Sequence, residues 1–270
     1  MYILKRAFST VGQVIGKHKH KQLISVETEI YSPFINNDVH FRGYPLRMLA
    51  SQHTFLEVFH LILNAKLPEK SELDDFVKHI HSGIVDYPYV LTENLKILPA
   101  NIHITDMLIS CFSLVNGFEN RNYGSLFGQC LGIIYSWKIK KNKNPLCSNN
   151  PVADLASRLL FRKSIDDNIA KFINVLLVLS IDHGLTSASY AARICTSELG
   201  SAYSSLIAAA SIHKTCLVQL DNYDEIINEG VAMLDSHKGY IHGSRIPNEL
   251  KSVVTARKDP RVGILVVSLK

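Results

Sequence analysis

One polar residue in a turn-forming setting, His183, is a first candidate for chemistry, while two others, His213 and Asp259, read plainly from their surroundings. His183 ends a long apolar helical stretch and precedes Gly184, where the chain can turn. An imidazole so placed is partly shielded, and its neutral form donates a hydrogen bond without importing a charge. The plainer account makes it a helix C-terminal residue beside Asp182, favoured by the helix dipole. His213 stands alone on an apolar helical stretch, where a histidine is usually a core or surface residue with its partners satisfied. Asp259 opens an Asp-Pro-Arg run that reads equally as a turn, because Asp before Pro favours one.

The sulfur chemistry is thinner. Cys111, Cys130, Cys147, Cys195 and Cys216 are odd in number and form no CxxC pair. A disulfide framework and a zinc site are therefore disfavoured, and a reducing compartment fits. His18 and His20, within the Lys17–Lys21 run KHKHK, lack the further convergent ligands a metal needs. No metal site is expected.

The elements that must position these residues come from a chain of 270 residues, 47% apolar and 20% charged. That length suits one large domain or one domain with a smaller lobe. The composition is globular. A net charge of +5 permits small anionic ligands and does not demand nucleic acid, because the basic residues are scattered. The two basic patches, Lys17–Lys21 and Lys138–Lys143, carry no interleaved aromatics that could stack on bases. The apolar runs Phe172–Ile181 and Leu126–Trp137 fall short of the ~20 residues of a membrane span. Lys5 and Arg6 precede no apolar segment, so a secretory signal is not expected. The segment reads as a basic arm, with the sequence RAFST a faint hint of a transit peptide.

Residues 23–44 alternate apolar and polar and contain Pro33, which predicts a short strand or hairpin before a helical body. Helices are predicted over 54–65, stopped by Pro68, and from a cap at Ser71 and Asp74 carrying the stripe Leu73, Phe76, Val77 and Ile80. Pro88 and Pro99 bracket a poorly patterned link with one helical turn. A helix follows His103, with Met107, Leu108, Cys111, Phe112 and Val115 on one side and Gly117 as its stop. Residues 124–139 form a helix with Gly124, Gly128 and Gly132 at every fourth position, a spacing that admits close helix approach. After a loop at 140–151 come helices over about 152–162, 166–182, 188–198, 201–214 and 222–235, with 183–187 breaking the pattern. Val262 to Leu269 reads as a terminal helix or strand. Helix after helix with few strands predicts an all-α fold.

Three stretches together resemble the citrate synthase family. "FRGYPLRMLASQHTFLEVFHLILNAKLPEKSEL", Phe41 to Leu73, is similar to the family's RGY…LA…SFEEV…LLL…G.LP…EL block. "LPANIHITDML", Leu98 to Leu108, is similar to its LP…HPMD.L. "LLVLSIDHGLTSASYAARICTSELGSAYSSLIAAASIH", Leu176 to His213, is similar to its LIL.ADHG.N.ST.AAR…S…Y.A..AGI…H block. A weaker fourth match is "KDPRVGIL", Lys258 to Leu265. The spelling HGLTSASYAAR is nearer to the short citryl-CoA lyase branch than to the DHE.N.ST of typical citrate synthases.

The resemblance implies an all-α fold with a large helical domain over 1–183 and a smaller, CoA-side lobe over 184–262. The large domain would include an arm over 1–40 and receive 263–270 back. It also implies a chemistry: making or breaking a carbon–carbon bond beside a thioester. A carboxylate must take a proton from a weakly acidic carbon, and donors must steady the enolate oxygen and polarise the partner carbonyl. On the resemblance His183 is the donor to the thioester enol, His213 the donor to the keto group, and Asp259 the base. Arginine offers a rigid fork to carboxylates, so Arg261 and Arg245 are the expected substrate-binding residues, with Arg193 a further candidate. The implied partners are an acyl-CoA substrate and a small carboxylate such as oxaloacetate, with no permanently bound cofactor, no nucleic acid and no membrane. A homodimer, or a dimer with a full-length homologue, is expected in the cytoplasm, with the mitochondrial matrix second. Gly124, Gly128 and Gly132 offer a face for the dimer.

The chain also departs from the pattern. After the second histidine the family has a small-residue run, where this chain has HKTCLVQL with Lys214 and Thr215. Upstream of Asp259 the family's G-F-G-H segment is replaced by KSVVTARK, its look-alike being GYIHGSRI at Gly239–Ile246. The sequence ends nine residues after Arg261, short of the family's later helices with carboxylate-binding arginines. The alternative expectation is therefore a catalytically impaired relative that serves as a binding or assembly module.

Overall fold

The computed structural model describes residues 7–13, 22–35, 38–86, 89–99, 101–115, 122–139, 167–182, 184–198 and 200–217. By packing, these residues form two compact units. One joins residues up to Pro68 to the stretch ending at Leu185. The other joins the stretch beginning at Glu69 to the one beginning at Thr186.

In the first unit β1 (Ala7–Gln13) pairs antiparallel with β2 (Gln22–Thr28), Ala7 opposite Thr28 and Gln13 opposite Gln22. A three-stranded meander follows: β3 (Tyr31–Ile35), β4 (Asp38–Phe41) and β5 (Tyr44–Pro45). The strand alternation read in 23–44 is thus present, and Val39 and Phe41 are its buried face. Arg42 and Gly43 make the β4–β5 turn, both at positive φ, 51° and 86°. Two such residues match the twist of a tight hairpin. Glycine takes that conformation freely, whereas Arg42 is held there by its side chain. Its Nε and Nη2 donate to the Ile62 carbonyl at 3.3 and 3.0 Å.

The hairpin leads into α1 (Leu46–Gln52) and α2 (Phe55–Asn64), and both pack on α7 (Asp167–Ser180). α2 begins with a capping box. The Thr54 hydroxyl accepts the Glu57 N–H, and Glu57 Oε2 accepts the Thr54 N–H at 2.6 Å. Such a pair satisfies two otherwise orphan donors. The helix ends at Asn64 with Ala65 in the left-handed conformation, so termination comes ahead of Pro68 rather than at it.

The second unit holds α3 (Lys70–Val85), α4 (Tyr89–Ile97), α5 (Ile104–Val115), α6 (Tyr123–Ile139), α8 (Ser187–Ser197) and α9 (Ala202–Leu217). Two expectations are corrected here. The start of α3 is set by Glu69, whose N–H donates to Glu72 Oε2 at 3.0 Å, and not by Ser71 and Asp74. The link between Pro88 and Pro99 is a nine-residue helix. Leu91, Leu95 and Leu98 bring it onto a core of Met107, Cys111, Phe112, Val115, Leu126, Ile133 and Tyr203.

A third correction concerns the glycines of α6. Gly124 and Gly128 face α3 of the same chain. A Cβ at Gly128 would collide with the Ile80 carbonyl oxygen, one at Gly83 with the Ser125 carbonyl oxygen, and one at Gly124 would press on the Phe76 ring. The small-residue spacing serves backbone contact between α3 and α6 inside the chain, so this face is not open to a second copy.

The helices predicted over about 152–162 and 222–235, the loop at 140–151, Gly117, the Lys17–Lys21 run and the tail from 237 lie outside the described residues. Among the described residues no helix is long and apolar enough to cross a membrane.

Candidate functional site

α7 and α8 lie in the sequence on either side of position 183 and of the turn at Gly184. α7 is apolar on its packed side, with Ile173, Val175, Val178 and Leu179 buried, which is why the run from Phe172 reads as a long apolar helix. Beyond Ser180, the Ile181 N–H reaches the Val178 carbonyl at 3.4 Å, a tightened last turn. Gly184 is buried with φ 75°, and Leu185 is buried beside it. Only glycine takes this left-handed conformation without cost, so the glycine after the histidine is demanded by the backbone. Thr186 then caps α8, its Oγ1 accepting the Ser189 N–H at 3.1 Å. Sequence thus dictates a helix, a left-handed turn and a capped helix in succession around position 183. His183 itself lies outside the described residues.

α9 carries position 213. The helix is anchored early in its length. Tyr203 donates its hydroxyl to Gln129 Oε1 on α6 at 2.6 Å, both residues buried. Thr196 and Ser205 hydroxyls lie 2.8 Å apart across α8 and α9, and the Phe112 and Tyr203 rings meet at 6.1 Å. Its helical backbone continues past residue 213 through Lys214, Thr215 and Cys216 to Leu217. Where the resemblance expects small residues and a free backbone, this chain has further helix. The His213 side chain, and all of Asp259, Arg261 and Arg245, lie outside the described residues. Arg193 is exposed on α8.

Other polar residues prove local. His103 Nδ1 lies 2.6 Å from Thr105 Oγ1 and accepts the Thr105 N–H at 3.3 Å, so this imidazole caps the start of α5. Glu57 belongs to the cap of α2. Burial raises the Cys111 thiol, partly offset by Asn94, and pushes the Cys130 thiol up to about 12. Neither is a nucleophile at neutral pH. Among the described residues no group of three His, Cys, Asp or Glu side chains could hold a metal.

The sequence gives no hint of one cluster. Asn174 on α7 accepts the Phe55 N–H through Oδ1 at 2.7 Å and donates through Nδ2 to the His53 carbonyl at 3.1 Å. His53, at the end of α1, keeps Nδ1 buried without a hydrogen bond and 3.6 Å from Glu57 Oε1. Contacts across 119 and 121 residues leave no mark in local pattern.

The model of the family described as "Citrate synthase, C-terminal domain" matches residues 20–215. The match takes in the Phe41–Leu73, Leu98–Leu108 and Leu176–His213 stretches and stops before Lys258–Leu265. This chain belongs to the citrate synthase family. It is 26% identical over 210 residues to a citrate synthase of Heyndrickxia coagulans, covering 70% of this chain and 54% of that protein. It is 25% identical over 181 residues to a 2-methylcitrate synthase of Shewanella oneidensis, covering 63% and 48%. The chain spans about half the length of these curated relatives.

Solved structures agree on the fold. A citrate synthase of Thermoplasma acidophilum, in ternary complex with carboxymethyl coenzyme A and oxaloacetate, superposes with a TM-score of 0.60 at 16% identity, over 90% of this chain and 81% of that one. A citrate synthase of Thermotoga maritima gives 0.57 at 20% identity, over 80% and 63%. The fold is the all-α citrate synthase fold.

Proposed function

We propose that this chain takes part in a citrate synthase-like reaction, condensing an acyl-CoA with a 2-oxo acid such as oxaloacetate, or cleaving a citryl-CoA-like thioester in reverse. The observation that carries this reading is the family match over residues 20–215, with the left-handed turn at Gly184 supporting a constrained place for His183. In the proposed reaction the Asp259 carboxylate takes a proton from the carbon next to the thioester. His183 donates a hydrogen bond to the enolate oxygen that forms. The carbon then attacks the keto carbon of the 2-oxo acid; the carbonyl π bond opens, and its oxygen, polarised by His213, takes up a proton to become a hydroxyl. Water cleaves the thioester and free CoA thiol leaves. Arg261 and Arg245 hold the carboxylates. Acyl-CoA enters as substrate, and no permanently bound cofactor, metal, nucleic acid or membrane takes part.

Positioned acid–base groups contribute roughly 10²- to 10⁴-fold each. Oxaloacetate-dependent release of CoA thiol is therefore expected from the native protein, reduced by about that factor in His183→Ala and Asp259→Ala. Equal thiol release with and without oxaloacetate, or unchanged rates in both variants, would defeat the reading. One observation favours a second reading, an impaired relative acting as a binding or assembly module: α9 stays helical through Lys214 and Thr215. Normal folding and dimerisation with no binding of CoA would favour it. We place the protein in the cytoplasm on the same proposal.

A further inference from the structure

We infer that Asn174 is a positioning residue: its side-chain amide sets where α7 delivers the turn at Gly184, the residue that follows position 183 in the sequence. This rests on the reading of His183 proposed above. Asn174 lies six residues before the last residue of α7. Its Oδ1 accepts the Phe55 N–H at 2.7 Å, and its Nδ2 donates to the His53 carbonyl at 3.1 Å. The first belongs to the opening turn of α2, whose N–H groups have no partner inside the helix. The second lies at the end of α1. One planar amide uses its acceptor and its donor at once, so both helix ends and α7 are locked in one register.

The buried side chains described on α7 make contacts of another kind. Ile173, Val175, Val178 and Leu179 are buried by apolar packing, which is non-directional. The amide adds two bonds of fixed donor and acceptor direction, which a slide of α7 along its axis would break together. A helix rises about 1.5 Å per residue, and a 1 Å misplacement at a reacting group can lower a rate about 10²-fold. A modest slip of α7 would therefore be felt at residue 183.

The test follows the His183 ring signal in a ¹H–¹³C spectrum, assigned by its loss in His183→Gln, beside thiol-release kinetics on the full chain. Asn174→Ala is expected to shift that signal and to lower kcat by about 10- to 100-fold, with KM changed by less than about twofold. Asn174→Asp keeps the acceptor towards Phe55 and loses the donor towards His53, so it should fall between. Arg42→Ala cuts a different tie of the same unit, the one to Ile62. It should lower the melting temperature and leave both the His183 signal and kcat in place. If Asn174→Ala and Asn174→Asp behave like Arg42→Ala, the inference is overturned. If the native chain releases no thiol and Asn174→Ala still moves the His183 signal, positioning stands and the proposed reaction fails.

Discussion

At the scale of single residues, the described chain shows polar groups used mainly to end and join helices. Thr54 with Glu57, Glu69 with Glu72, His103 with Thr105, and Thr186 with Ser189 each satisfy donors at a helix start. His103 and Glu57 orient helix starts through partners two and three residues away in the chain. The work of Asn174 leaves no such local mark, since its partners are more than a hundred residues away. The thiols give a residue-level prediction. Cys130 keeps some exposure as a residue, while burial pushes its thiol from an ordinary 9.0 up to about 12. The thiolate fraction at pH 8 is then about 10⁻⁴, and only the thiolate is nucleophilic. Iodoacetamide at pH 8 should leave Cys130 unmodified in the folded protein and label it after unfolding, read by peptide mass. The sign for stability follows: from about 9 upwards the unfolded chain gives up this proton first, so the contribution of Cys130 to stability declines as pH rises towards 12. Ready labelling in the native state would contradict both.

At the scale of elements, periodicity located most helices and missed what depends on tertiary contact. α5 was legible because Met107, Cys111 and Val115 recur on one side. α4 was missed although Leu91, Leu95 and Leu98 stand at i, i+4 and i+7 and pack on the core: between Pro88 and Pro99 the window holds fewer than three helical turns, and three apolar positions are too few to mark a helix. The glycines of α6 were legible as a close-approach surface, but a single sequence cannot say which helix approaches. Their partner is α3, through Gly83 and Ile80. Gly128→Ala should therefore destabilise the protein by about 3 kcal/mol, because the methyl meets backbone that cannot turn aside. A denaturant midpoint within error of the native value would argue that α3 and α6 do not meet in this way.

At the scale of the molecule, the family match and the fold agree, and the order of motifs from Phe41 to His213 was enough to name the family from sequence. The site was less legible. His183 is announced by the turn-forming Gly184, whereas His213, Asp259, Arg245 and Arg261 enter only through the resemblance. A dimer remains the proposed assembly, although Gly124 and Gly128 are taken up within the chain and cannot form its interface. Light scattering at micromolar concentration should give twice the chain mass, and a monomer there would count against that assembly.

The claim on which the account turns is spatial. A crystal structure of the protein with carboxymethyl coenzyme A and oxaloacetate tests it most directly. The account predicts a His183 nitrogen and an Asp259 carboxyl oxygen within about 3 Å of the carboxymethyl group of the analogue, which stands where the acyl group of the substrate would lie. It places a His213 nitrogen at similar range from the keto oxygen. A structure with those three side chains on separate surfaces, or with neither ligand bound, would contradict it.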